Sequence, residues 1–140
     1  MKVNVSKAKR ELRALKSRIQ RAIPKALNRS GEKTVQTIVE RTERGIGLKG
    51  AFKRYSPEYA DYRAEKGRGG KPDLNFSGRM LSNLGVERAG KNKVKVAFSR
   101  KEEEKKAKFN QKTRPFVGIR PAEMKFITDA FKRQFMRDIR

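Results

Sequence analysis

The chain has 140 residues, with 38 Lys and Arg against 15 Asp and Glu, and a net charge of +23. It contains neither Cys nor His. That excludes disulfides, thiolate metal sites and Ser–His or Cys–His nucleophile systems, and it removes the main zinc and iron ligands. The length suits one domain with a single modest core. Charged residues make up 38% of the chain, against roughly 25% in typical globular proteins, so the core must be lean. A chain this basic repels itself and attracts polyanions, whether nucleic acid, an acidic membrane face or an acidic protein. No apolar run approaches the roughly 20 residues of a membrane span, and no apolar segment follows the basic N-terminus as in a signal peptide. A soluble, membrane-free protein without cofactor or metal is therefore expected.

Residues Ser6 to Ile23 read as an amphipathic helix capped by Ser6. Ala8, Leu12, Leu15, Ile19 and Ile23 recur at spacings of three and four and share one face. Pro24 should kink or break this helix, because it removes a backbone donor and clashes with the preceding turn. Helical spacing resumes through Leu27, Val35, Ile38 and Val39 to about Arg44, where Gly45 and Gly47 stop it. Residues 1–44 thus form an N-terminal helical region.

Ser56-Pro57-Glu58 is a helix start, with a capping Ser, Pro at the first helical position and Glu near the positive dipole end. It predicts a short helix to about Glu65, with Tyr59 and Tyr62 on one side. The glycine-rich stretch 66–72 reads as a flexible loop. Ser77 should begin a further short helix to Leu84, with Met80, Leu81 and Leu84 as its apolar face.

Leu84 to Arg88 and Val94 to Phe98 are strand candidates joined by a hairpin link at Ala89-Gly90-Lys91-Asn92. Lys101 to Asn110 should be helical, with Ala107 and Phe109 touching the core. Arg114 to Ile119 is a further strand candidate. Pro121 opens a terminal helix to about Ile139, whose stripe of Met124, Ile127, Phe131, Phe135 and Ile139, widened by Phe126 and Ala130, reads as core. The fold class is α+β, a single domain over 1–140 with a small antiparallel sheet flanked by a long N-terminal helix and a C-terminal helix.

Asp61, Glu65 and Asp73 are the carboxylates available for chemistry, but they lie among Lys and Arg and ordinary ion pairing accounts for them. The first 33 residues hold eleven Lys or Arg against two Glu. The basic face of Lys9, Arg10, Arg13, Lys16 and Arg21 can track phosphates, meet an acidic partner, or simply be solvated. The aromatics from Phe52 to Tyr62 suit base stacking or, more commonly, a subunit interface.

Three segments occur together in one order. Phe52-Lys53-Arg54-Tyr55-Ser56-Pro57-Glu58-Tyr59, with Tyr62-Arg63, resembles an F-x-x-Y-S-x-x-Y-x-x-x-R pattern. Leu74-Asn75-Phe76-Ser77-Gly78-Arg79-Met80-Leu81 resembles L-x-x-S/T-G-x-M/L-L. Lys106-Ala107, followed by Arg114-Pro115-Phe116-Val117-Gly118-Ile119, is similar to K-A … R-P-F-x-G-I/L. These are patterns of small tailed-phage neck proteins, the head–tail joining or tail-completion group that includes minor tail and virion morphogenesis proteins.

The resemblance implies an α+β subunit without catalysis, assembled with itself as a ring, a hexamer by the family's symmetry, at the head-proximal end of the tail. It implies other phage neck and tail proteins as partners, and a location in the virion after assembly in the host cytoplasm. Tyr55, Tyr59, Tyr62, Arg68 and Arg114 are then the expected assembly interface, and the basic face is left for acidic neighbours or weak, non-specific DNA contact. The alternative is a basic, non-specific nucleic-acid-binding protein.

Overall fold

The computed structural model describes Lys2 and residues 4–140. Helix α1 (Val5–Glu43) begins at Asn4, whose side chain accepts a hydrogen bond from the Lys7 N–H; Ser6 lies inside the helix rather than capping it. The helix is unbroken through Pro24. Ala22 and Ala26 on either side are buried, so packing holds the axis where local bonding is one donor short. At 39 residues, α1 is about 58 Å long.

Gly45, at φ +77°, then turns the chain into a minimal hairpin of β1 (Ile46–Gly47) and β2 (Gly50–Ala51). Helix α2 (Pro57–Glu65) follows, with the Ser56 hydroxyl accepting from the Tyr59 N–H.

Helix α3 spans only Arg79–Ser82. Its cap position is taken by Gly78 at φ +77°, not by Ser77, although the Ser77 hydroxyl accepts from the Arg79 N–H. Strands β3 (Leu84–Gly90) and β4 (Lys93–Phe98) pair antiparallel, with Leu84 opposite Phe98 and Val86 opposite Val96. Helices α4 (Lys101–Thr113) and α5 (Pro121–Ile139) complete the chain. The class is α+β, but the strands form two separate two-stranded sheets.

The core joins Ile38 of α1 with Phe52, Leu74, Met80, Leu81, Leu84, Ala107 and Phe116. Helix α1 crosses the β3–β4 hairpin closely: a Cβ at Gly31 would come within 2.8 Å of Val86 Cγ1. This mid-helix glycine exists for the crossing, not for flexibility.

Three further sequence expectations are corrected. Residues 114–119 form no strand. Their backbone groups bond to side chains instead: Gln111 Oε1 accepts from the N–H of Phe116 and Val117, and the Arg41 guanidinium donates to the carbonyls of Phe116 and Gly118. Phe109 is 74% exposed rather than against the core. Met124 and Phe126 are exposed too, because α5 lies along α1 through the other side of its stripe, which includes the buried Ala130.

Arg41 is 0% exposed. Besides the two carbonyls it donates to Glu123 Oε2 at 2.6 Å. Glu123 also accepts from the Arg120 N–H, closing the first turn of α5. Burial pushes the Glu123 carboxyl upward, but the hydrogen bonds from Arg120 and Arg41 outweigh it and hold it below its ordinary 4.5.

Two outcomes are expected in chemical denaturation. Leu81→Ala, at a core site only 4% exposed, should lower stability by roughly 2–5 kcal/mol. Glu123→Gln should flatten the acid limb of the stability curve. The depressed carboxyl contributes stability that is fully present above its unfolded pKa, near 4.5, and is lost as pH falls through the lower folded value. An unchanged acid limb would show that Glu123 does not supply it.

Candidate assembly interface

Of the sequence-predicted interface residues, Tyr55, Tyr59 and Arg114 line one cleft, whereas Tyr62 and Arg68 lie outside its lining, against the ring of Phe76. Tyr55 precedes α2, and Tyr59 lies one turn into it. Their rings meet edge to face at 4.9 Å. Tyr59 stacks on Tyr62 at 6.2 Å, and Tyr62 on Phe76 at 5.8 Å. Helix α4 forms the opposite wall with Glu103, Lys106 and Phe109, and the floor is Leu74 and Met80. The cleft holds about 620 Å³, within the roughly 300–1,000 Å³ typical of ligand pockets.

Arg63 organises this aromatic group. It follows Tyr59 by four residues and so shares its helix face. It is 1% exposed, with its guanidinium 5.0 Å from the Tyr55 ring centre and 5.9 Å from that of Phe76. Its Nε donates to the Gly69 carbonyl and its Nη2 to Asp73 Oδ1 at 3.0 Å. Asp73 accepts in turn from the Asn75 N–H. The exposed loop 66–72 is thereby tied at Gly69 and just beyond its end.

In the sequence Arg63 stands within a motif, with no local pattern that marks it as buried. The available signal was its position one turn beyond Tyr59. Asp73 is more than a surface partner, since its arginine is buried.

Arg114 and Arg68 lie around the same group. Arg114 donates from Nε to the Lys53 carbonyl and from Nη2 to that of Arg54, and its guanidinium lies 4.8 Å from the Tyr55 ring centre. It clasps the loop before α2. Arg68 lies 5.9 Å from the Phe76 ring centre. The Tyr55 hydroxyl accepts from the Leu74 N–H. Burial pushes the phenol above its ordinary 10, against the lowering effect of that bond.

The basic face lies elsewhere. Lys9, Arg10, Arg13, Lys16 and Arg21 are all exposed on the N-terminal part of α1. Helix α5 reaches along α1 only as far as Arg18, which donates to the Ile139 carbonyl. Residues 5–18 are exposed throughout, Leu12 at 66%. The apolar stripe of this segment has nothing over it, so basic and apolar faces both project beyond the fold.

Among the described residues, no helix is long and apolar enough to cross a membrane, and no group of three acidic side chains is placed to hold a metal ion. Comparison with protein-family models, with curated proteins and with solved structures finds no match.

Asp73→Ala should release the loop. A hydrogen bond to a charged group contributes about 1.5–3 kcal/mol, so trypsin cleavage at Lys66, Arg68 and Lys71 should accelerate roughly tenfold or more. Cleavage at the wild-type rate would mean that Arg63 and Asp73 do not tie the loop.

Proposed function

We propose that the protein is a structural subunit of a tailed-phage particle, acting in tail completion or head–tail joining as a ring at the head-proximal end of the tail. The observation that supports this reading most is that the three motif segments are parts of one structural unit. The tyrosine segment and the Leu74–Leu81 segment build the cleft together. The Arg114–Ile119 segment clasps the first of them through Arg114 and contributes Phe116, 0% exposed, to the core.

A ring subunit also accounts for a lean core with exposed aromatics and an exposed helical arm, since part of such a surface is buried only on assembly. The role is architectural, with other neck and tail proteins as partners and the virion as its location.

The basic arm favours a second reading, a non-specific nucleic-acid-binding protein. In a connector, acidic protein neighbours are the better target for this charge, because a tight grip on DNA would oppose its ejection. DNA contact is then weak and salt-dependent, each neutralised phosphate contributing about −0.9 to the log–log salt slope.

Electron micrographs of particles assembled without the protein should show filled heads and unjoined or incomplete tails. Normal tailed particles would exclude the role. Purified protein titrated with mixed-sequence duplex should bind weakly and lose binding steeply with salt. Submicromolar binding that survives physiological salt would promote the second reading.

A further inference from the structure

We infer that the exposed apolar stripe of residues 5–17 of α1 seats in the groove between the C-terminal part of α1 and the α3–β3 segment of a second copy of this chain. The inference rests on the ring reading above and names the two surfaces that meet.

The groove is an open side of the core. Its floor joins Leu81 and Leu84, both buried, to Val35 and Val39 of α1, which are only partly buried against the core. It holds about 670 Å³. Along α1 it runs from Asn28 to Glu43, a length of about 22 Å. The arm from Val5 to Arg18 is exposed throughout and is about 20 Å long. Its Ala8, Leu12 and Leu15 recur at spacings of three and four. One end of α1 therefore carries an apolar stripe without cover, and the other end borders an apolar groove of similar length.

Charge sets this groove apart. Lys and Arg make up 38 of the 140 residues, yet among the described residues none lines it, and its charged lining residues are Glu32 and Glu43. The aromatic cleft is lined by three cations, and the groove between α1 and α5 by four. Glu32 precedes Val35 by three residues and Glu43 follows Val39 by four, so both border the apolar floor. Lys9 precedes Leu12 by three and Lys16 follows it by four, so both border the arm's stripe in the same way. Glu43 forms no ion pair among the described residues. Glu32 pairs with Arg29, but an exposed pair of this kind contributes little, and Arg29 itself lines the neighbouring α1–α5 groove.

Two features select a second copy as the occupant. Arm and groove lie on one continuous helix, with Leu12 and Val39 about 40 Å apart along its axis, so the arm cannot reach its own groove. Different patches at opposite ends of the subunit then meet. That is a heterologous contact, and its repetition forms a ring when the rotation closes. Residues 5–17 carry five cations and one Glu, so two arms packed on each other would repel. A polyanion such as DNA satisfies the cations but leaves Leu12 and Leu15 in water. The groove satisfies both, with the stripe on its floor and Lys9 and Lys16 toward its acidic rim.

The test uses the full-length chain, whose lack of cysteine makes introduced thiols unambiguous. Leu12→Cys and Gln36→Cys proteins, mixed under mild oxidation, should form a disulfide heterodimer far more than mixtures of Leu12→Cys with Phe109→Cys in the aromatic cleft or with Lys132→Cys on α5. In sedimentation, Glu32→Lys with Glu43→Lys should weaken self-association roughly tenfold, and so should Lys9→Glu with Lys16→Glu. Mixing the two double variants should restore it, because each arm then meets a groove of opposite sign. All four side chains are exposed, so the variants should fold as the wild type does, which circular dichroism checks. An oligomer that tolerates both double variants, or that cross-links through Phe109→Cys instead, overturns the groove as the seat of the arm and leaves the ring reading standing. A wild type that remains monomeric, with its arm protected from trypsin only by duplex DNA, overturns the second copy as occupant. The ring reading itself is judged separately, on particles assembled without the protein.

Discussion

A guanidinium removed from water needs acceptors for its donors, and Arg41 finds three, with its Nε left unpartnered, in two segments that are otherwise far from it in sequence. Glu123 opens α5, and the carbonyls of Phe116 and Gly118 lie in the irregular stretch before it. Removing one partner of such a pair leaves a buried charge uncompensated, which typically costs about 3–5 kcal/mol. The position of α5 along α1, the conformation of residues 114–120 and the burial of Phe116 are therefore coupled. Gly118 fits the same constraint. It adopts φ +151°, and a Cβ there would come within 2.9 Å of Leu48, so the segment that offers its carbonyls to Arg41 also packs directly on the loop of the β1–β2 hairpin.

Arg63 repeats the device on a smaller scale. One buried guanidinium lies beside the rings of Tyr55, Tyr59 and Phe76, ties the glycine-rich loop at Gly69 and pairs with Asp73. In a chain with a lean apolar core, two buried arginines supply connections that aliphatic side chains supply elsewhere. Hydrogen bonds to charged groups are also directional, so they define loop conformation in stretches with no regular backbone ladder. The aromatic cleft is a consequence: its wall is rigid because Arg63 and Arg114 hold both ends of the tyrosine segment.

The remaining cations lie mostly outside, and they are not evenly used. Along α1 the C-terminal half is core, and its polar residues bond within the helix, as Thr37 and Thr42 do to carbonyls one turn back. Residues 5–18 carry the same apolar periodicity with no element over them. One helix thus divides into a part that builds the fold and a part that projects from it.

The sequence by itself determined the helices α2 and α5, the β3–β4 hairpin and the cap at Ser56, because these depend on signals within a few residues: a capping hydroxyl before Pro57, alternation through Val94 and Val96, three- and four-residue spacing after Pro121. It also brought Tyr55, Tyr59, Tyr62, Arg68 and Arg114 forward as one group. Tertiary structure alone decided the rest. Periodicity reports which residues share a face, not whether another element covers it. The stripes of Leu12 and Ile38 therefore read alike, yet one projects and the other is core, and Phe109 and Phe126 read as core but are exposed. Pro24 lacks a donor in any context, and packing on both sides keeps the helix continuous. Residues 114–119 have strand-like composition, but side chains of Gln111 and Arg41 take the backbone bonds a ladder would use. Arg41 and Glu123 are 82 positions apart, and no local pattern can join them; only the fold removes both from water at one place.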